Sequence, residues 1–387
     1  MMTLHDFLDF VRLFLFIPMR VLYWPFMLCP IKKRKIVFAN FNGKGYGCSP
    51  KAICNALLEK DDGLDLVWLT KDRNSLPDQV RNVNIKSFHA LYELATASAW
   101  VTNNRLPYYV AKRKSQYYVQ TWHGPIAFKQ IESHIKNMPL YYKIRSKHDS
   151  SMMDILMTNS KWSTNFFRDC FWYEGEILEV GTARNDIIVN KNTAVYNLVR
   201  QYFGISEETK IFLYAPTFRR NTDLNMFKIP FEKISDSLKS RFGGKWVSLV
   251  RLHPILASKS DFIAYDETVI NATAYPDFQE LLAATDFFIT DYSSGLFDYI
   301  LSRKPALFYA QDLEEYRRER DLALDPEILP CPLTRDEDGL LRAILSFDEE
   351  SYQKSLDEFF KYMGMNETGH ASHVIAERIL DEINRKP

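Results

Sequence analysis

The chain has 387 residues, too many for one hydrophobic core, so two domains of roughly 150 to 200 residues are expected. Hydrophobic residues make up 46% and charged residues 25%, with 14 Gly and 17 Pro, which excludes disordered, collagen-like and low-complexity chains. Forty-nine Lys plus Arg balance 49 Asp plus Glu, so whole-molecule charge gives no argument for a nucleic-acid partner and none is expected.

The first 34 residues contain the run VRLFLFIPMRVLYWPFMLC from Val11 to Cys29, broken by Arg12, Pro18, Arg20 and Pro25. A membrane span needs about 20 predominantly apolar residues without such breaks, and no small-residue cleavage site marks a signal peptide. Through Lys35, six basic residues (Arg12, Arg20 and Lys32 to Lys35) face Asp6 and Asp9, a net of +4. Aromatic and basic residues together predict a segment lying in the membrane interface, its basic run on anionic headgroups. The alternative is a helix packed on its own domain.

Next come strand KIVFANF, a loop with Gly43, Gly45 and Gly47, and helix KAICNALLEK with Ser49 as N-cap and Pro50 at the first helical position. Candidate strands LDLVWLT, NVNIKSFH, AWVTNN and YYVQTWHG follow, alternating with helical stretches. After the helical TAVYNLVRQYF the rhythm repeats in KIFLYAPT, KWVSLVRLHP, TVINAT, DFFITDYSS and PALFYA. Alternation of this kind predicts two doubly wound α/β domains, each with a parallel sheet whose ligands bind outside the carboxyl ends of the strands. The expected boundaries are 1–34 for the membrane-associating segment, 35–190 and 205–363 for the two domains, and 364–387 for a C-terminal helix. Charge is unevenly spread: nine basic residues from Arg105 to Lys147 face only Glu132, a net of +8. Between Ala310 and Phe360, 15 acidic residues face six basic ones. The basic half is expected to meet an anionic surface or polymer.

Chemistry-bearing residues cluster at strand ends. Ser293 and Ser294 sit between strand DFFIT and helix GLFDYILS, where hydroxyls, backbone N–H groups and a helix dipole converge on an anion; simple N-capping is the alternative. Arg251 and His253, two apart on a strand, are placed to meet one anionic group. His123, on a Gly-Pro turn after YYVQTW, suits a general base acting on a hydroxyl, or is a turn histidine without chemistry. The five scattered Cys residues include no CxxC pair, which suits a reducing compartment. No HExxH, EF-hand or P-loop pattern occurs, and GKGYG lacks the acidic partner of a dinucleotide site. No metal or cofactor is therefore expected.

In order, the motifs are WHG, GxxRND, YAPTFR, RLHP, YPDFQELLAATDFFITDYSSGLFDYILSRKPALFYAQDLEEY and NETGHASHVIAERILDEI. This set resembles the CDP-glycerol glycerophosphotransferase family, the teichoic-acid primases and polymerases, over nearly all of Lys35 to Ile383. The resemblance implies a GT-B-like fold with a central cleft, a nucleotide site in the C-terminal half, and peripheral attachment to the cytoplasmic membrane face. It further implies transfer of glycerol phosphate, or a related polyol phosphate, from CDP-glycerol to a lipid-linked acceptor with release of CMP, in teichoic acid or capsule-type polymer synthesis. His123 and His253 become the catalytic candidates, and Arg251, Ser293 and Ser294 the donor-phosphate ligands. Asp277, Glu280, Thr290 and Asp291 are candidates for nucleotide contacts, and Arg184, Asp186 and Arg219 for the cleft. WHG is followed here by PIAFKQIE where the family often has a Pro-Leu-Lys-Lys run, and Thr182-Ala183 stands where Tyr-Pro often precedes Arg-Asn-Asp. Related HP and SS motifs in sialyltransferases keep open a glycosyltransferase acting on a CMP- or other nucleotide-activated sugar. A non-catalytic scaffold binding polymer at the membrane surface is the reading from another class.

Overall fold

The computed structural model describes residues 11, 14, 17–71, 76–219, 224–253, 256 and 262–385. Asp6, Asp9, Arg12 and the proline of RLHP, Pro254, named above, lie outside the described residues. The chain divides into two compact units: unit 1 holds 1–125, 131–186 and 365–387, and unit 2 holds 126–130 and 187–364. The terminal helix Ala371–Arg385 therefore belongs to unit 1, and a short strap after the WHG motif belongs to unit 2.

Unit 1 is built on a parallel sheet of β1 (Lys32–Ala39), β2 (Asp65–Thr70), β3 (Val80–Asn84), β4 (Ala97–Thr102), β5 (Tyr117–Gln120), β6 (Ile155–Thr158) and β7 (Glu176–Glu179). Its order is β3-β2-β1-β4-β5-β6-β7. Successive residues of a strand face opposite sides, and here both sides are buried. Val37, Leu69, Trp100 and Tyr118 pack with Leu91, Leu94 and Phe167 on one face; Ile36, Phe38, Trp68 and Val119 pack with Ile53, Leu57, Ile375 and Ile379 on the other. Covering helices on both faces are what let these strands read as continuous apolar runs.

Unit 2 has a six-stranded parallel sheet of β8 (Thr209–Ala215), β9 (Lys245–Val250), β10 (Val269–Asn271), β11 (Phe287–Thr290), β12 (Ala306–Tyr309) and β13 (Leu333–Thr334), ordered β10-β9-β8-β11-β12-β13. Each sheet thus starts at an internal strand and reverses direction once, between β1 and β4 and between β8 and β11. Such a reversal opens a crevice beyond the carboxyl ends of the two central strands.

Two local expectations change. Helix Cys48–Lys60 is capped by Gly47, so Ser49 is not the N-cap and Pro50 sits inside the first turn, where its missing N–H is harmless. Of the four cations at Lys32 to Lys35, Lys35 is fully buried, its ammonium 2.5 Å from Glu93, and Arg34 pairs with Asp61. β1 begins at Lys32 and is buried on both faces from Lys35 onward, which takes Lys35 into the interior. Just before it, Tyr23 is buried with its hydroxyl donating to the Ala111 carbonyl at 3.1 Å, and Met19, Phe26 and Met27 pack on the core. Phe14, Ile17, Val21, Leu22, Trp24 and Leu28 are exposed, Leu28 by 85%. Among the described residues no helix is long and apolar enough to cross a membrane.

Candidate active site

One strand beyond the reversal in unit 1, β5 ends at Gln120 and the chain turns through Trp122, which holds a left-handed φ of 51°. The Gln120 side chain fixes that conformation by accepting from the Trp122 N–H at 3.0 Å. His123 follows, with Nδ1 2.8 Å from the Asn103 carbonyl just beyond β4. A carbonyl only accepts, so Nδ1 carries the hydrogen and the Nε2 lone pair is the basic one. Burial lowers the imidazole pKa to about 4, the bond to Asn103 opposing the shift and the Arg184 charge adding to it. The ring is therefore neutral at neutral pH.

Asn103 is itself locked: its amide donates to Asn40 Oδ1 at 2.7 Å, and its Oδ1 accepts from Phe41 N–H at 2.9 Å. Phe41, Asn42 and Gly43 all have left-handed φ, and the Phe41 ring lies 5.3 Å from the imidazole. At Gly43 a Cβ would come within 2.7 Å of Ile85, so only glycine fits that bend. Arg184, buried, donates to the His123 carbonyl at 2.8 Å and to Cys48 Sγ at 3.3 Å. Behind Trp122 lies a buried ion cluster: Arg105 meets Glu132 at 2.8 Å, Asp149 at 3.1 Å and Ser150 at 2.8 Å. Its guanidinium also stacks 4.5 Å from the Phe171 ring, which packs edge-on against Trp122. Tyr118 hydroxyl joins Asp149 at 3.0 Å, and Gln120 Nε2 joins Tyr118 at 2.9 Å, so the cluster reaches the residue that sets the Trp122 turn. Burial works against the Arg105 charge, and the two carboxylates override it and raise its pKa.

The same residues correct the expected basic patch. Arg105 is neutralised inside, Lys112 pairs with Asp154 at 2.8 Å, and Arg113 and Arg145 donate to backbone carbonyls. Lys129 belongs to unit 2, which leaves Lys114, Lys136, Lys143 and Lys147 exposed. The count of +8 missed Asp149 and Asp154, which lie just past the counted window.

In unit 2 the β11 end carries the serine turn. Ser293 and Ser294 are half-buried; Ser293 Oγ accepts from Gly295 N–H at 3.1 Å, so Ser293 does cap, whereas Ser294 makes no side-chain cap bond. The helix that follows, Gly295–Tyr299, has five residues and passes into a 3-10 turn at Ile300–Ser302. Its dipole is smaller than a long helix would supply, which removes part of the expected anion attraction. Gly295 is required for close packing, since a Cβ there would stand 2.6 Å from the Phe278 ring.

Thr290 and Asp291 face inward. Thr290 Oγ1 donates to the Ala215 carbonyl at 2.7 Å, and Asp291 accepts from Thr217 N–H at 2.7 Å and from Arg219 at 2.6 Å. Arg219 is forked onto Asp312 at 2.7 and 3.0 Å, and Tyr292 hydroxyl donates to the same carboxylate at 2.9 Å. Tyr292 and Tyr316 stack at 3.6 Å, with the Arg219 guanidinium 4.9 and 5.4 Å from their rings. These groups build the floor of the turn, where Thr290, Asp291 and Arg219 are held by Ala215, Thr217 and Asp312.

β9 ends at Val250, so Arg251 and His253 lie past the strand and its two-residue alternation does not govern them. Arg251 donates to the Tyr275 carbonyl at 2.6 Å and lies 5.3 Å from the Phe278 ring; His253 is exposed, its ring 5.4 Å from Phe218. Asp277 caps helix Phe278–Ala284 through Gln279 N–H at 2.9 Å, and Glu280 accepts from Tyr275 hydroxyl at 2.6 Å. In unit 1, Asp186 accepts from Ala371 N–H, Ser372 N–H and Ser372 hydroxyl at 3.1, 2.8 and 2.6 Å, capping the terminal helix. Unit 2 thus gathers Arg251, Asp277, Glu280 and the serine turn around Phe278, while unit 1 gathers His123 and Arg184.

The family model of CDP-glycerol:poly(glycerophosphate) glycerophosphotransferases matches residues 22–381. A teichoic acid poly(glycerol phosphate) polymerase of Staphylococcus epidermidis is 32% identical over 92% of this chain, which spans 52% of that protein. One of the same description from Bacillus spizizenii is 32% identical over 91% of this chain and 93% of its own length. Among solved structures, the wall teichoic acid polymerase TagF matches with a TM-score of 0.84 and 29% identity over 99% of both chains. A histidine-to-asparagine variant of TagF soaked with CDPG matches with the same TM-score and 30% identity, again over 99% of both chains.

Proposed function

The chain belongs to the CDP-glycerol:poly(glycerophosphate) glycerophosphotransferase family, and from that premise we propose that it transfers glycerol phosphate, or a related polyol phosphate, from CDP-glycerol to a hydroxyl of a lipid-linked acceptor. The acceptor oxygen bonds to the distal phosphorus, the bond from that phosphorus to the bridging oxygen breaks, and CMP leaves with the electron pair. The acceptor proton goes to His123 Nε2. The observation that carries the reading is the fixed imidazole tautomer: Nδ1 is tied to the Asn103 carbonyl, so the neutral Nε2 is the base. General bases held this way supply about 10²- to 10⁴-fold of rate. Negative charge arriving with the donor raises the imidazole pKa from its resting value and makes it a stronger base as the substrate binds.

On the donor side, Ser293, Ser294, Arg251 and His253 neutralise the diphosphate as CMP departs, with electrostatics and positioning as the means. Asp277 and Glu280 serve the nucleoside, and Thr290, Asp291 and Arg219 hold the turn from below. The exposed stripe of Phe14, Ile17, Val21, Leu22, Trp24 and Leu28 supports seating on the cytoplasmic membrane face, where the lipid-linked acceptor for teichoic acid or capsule-type polymer is found. Replacing Trp24 and Leu28 by Ser is expected to release the protein from anionic vesicles in a flotation assay; unchanged flotation refutes the seating. CMP release is measured with CDP-glycerol, CDP-ribitol and CMP-sialic acid, each with a detergent-solubilised lipid acceptor. Acceptor-dependent release from a CDP-polyol is the expected result, and release from CMP-sialic acid alone replaces this reaction by glycosyl transfer.

A further inference from the structure

The strap 126–130 follows the WHG motif in sequence and belongs to unit 2. Its backbone is fixed: Phe128 carbonyl accepts from Ala323 N–H at 3.0 Å, Gln130 N–H donates to the Asp321 carbonyl at 2.9 Å, and Lys129 bridges to Leu322. Phe128 packs 6.0 Å from both Tyr292 and Phe297, the residues that bracket Ser293 and Ser294. Lys129 is the next residue of this strap, and the ring its ammonium meets, Tyr316, stacks on Tyr292, the residue before Ser293.

Its ammonium lies 5.4 Å from the Tyr316 ring, and among the described residues it has no hydrogen-bond or ion-pair partner. The charges that act on it are Asp291, Arg219 and Arg320. Asp291 and Asp312 are both committed to Arg219, while Arg320 is exposed, so three cations face two carboxylates and Lys129 has no counter-ion. A half-buried ammonium without a counter-ion, placed on a rigid strap, is an anion site awaiting its ligand. We infer that Lys129 is a phosphate-binding residue of unit 2, its ammonium meeting the diphosphate of the CDP-activated donor held at the Ser293 and Ser294 turn. The inference rests on the reading of that turn as the donor-phosphate site. Its free ammonium is pushed down to about 8 by burial, with Arg320 and Arg219 adding to the shift and Asp291 opposing it. An anion binds the protonated form, so donor affinity falls as pH rises past that value.

Calorimetry on the full chain tests this with CDP and with cytidine, on the wild type, Lys129→Met and Lys129→Arg. In Lys129→Met, CDP affinity is expected to drop about tenfold or more while cytidine affinity holds; Lys129→Arg stays within about twofold of wild type. Wild-type CDP affinity should weaken from pH 7.5 to pH 9, and that of Lys129→Arg should not. Equal CDP affinity in wild type and Lys129→Met overturns the inference, as does an equal loss for CDP and cytidine, which marks general damage to the unit. Wild-type protein that binds no CDP overturns the donor reading itself, a result distinct from either of these.

Discussion

At the carboxyl end of the unit 1 sheet, a neutral imidazole follows Trp122 in front of the buried Arg105, Glu132 and Asp149 cluster, its tautomer selected by a backbone carbonyl. At the corresponding end of the unit 2 sheet, two half-buried hydroxyls follow directly on the Arg219 cluster, and the ammonium of Lys129, which among the described residues has no ion-pair partner, lies against the Tyr316 ring of that cluster. Both ends use the same device beneath, an arginine clamped between two carboxylates and stacked on aromatic rings. They differ above it. The imidazole of unit 1 is dry and its pKa is low, which is what the proposed base requires before reaction. Unit 2 keeps a surplus of cations, which is what the proposed phosphate site requires. One sheet reversal, used twice, is tuned to opposite charge states by what lies on top of the clamp.

Removing the groups on top is expected to separate the two ends most sharply. His123→Ala should lower transfer from CDP-glycerol about a thousandfold while CDP affinity by calorimetry stays unchanged; a parallel loss of both would merge the two ends into one site. Removing the clamp acts on stability instead. Arg105→Ala leaves Glu132 and Asp149 buried without their cation and should cost about 3 to 5 kcal/mol in denaturant unfolding, against less than about 0.5 kcal/mol for exposed Arg320→Ala. Gly295→Ala drives a Cβ toward Phe278 and should cost about 1 to 3 kcal/mol and weaken CDP binding, with the His123 pH profile unaltered. The smallest effect is at Asn103. Asn103→Ala loosens the carbonyl that selects the tautomer and holds the imidazole pKa up against burial, so the acid limb of kcat/KM should move from near pH 4 to lower pH, away from the ordinary imidazole value of about 6.5. For stability the sign is fixed by the same shift: unfolded chains bind a proton on His123 between those two values and the folded protein does not, so stability rises with pH through that window.

Much of the architecture was legible because strand and helix periods are local properties. The runs LDLVWLT and KIFLYAPT mark β2 and β8 within a residue or two, and DFFITDYSS holds β11 and runs four residues past it into the serine turn. WHG and the serine turn were legible too, since Gly, Pro and Ser punctuate strand ends. What the sequence hid was pairing over long separations. Arg105 reads as surface charge until Asp149, 44 residues on, is seen to hold it. That Asp186 caps the terminal helix is visible only once Ser372, 186 residues on, is seen to lie against it. Asn40 and Asn103, ordinary strand-end residues by composition, become the mount of His123 only through the parallel pairing of β1 with β4. Lys129 was counted with its sequence neighbours, and the strap carries it into the other unit.

The interleaving of the two units also sets an order of events during synthesis. Unit 2 needs nothing beyond Gly364, whereas unit 1, although it begins first, buries Ala371, Ile375, Ile379 and Ile383 in its own core. A chain emerging from the ribosome can finish the later unit before the earlier one, with an unfilled apolar face on the first sheet until the last helix arrives. That face is where a chaperone would find the nascent protein, and contacts spanning almost the whole chain make its closure a slow step.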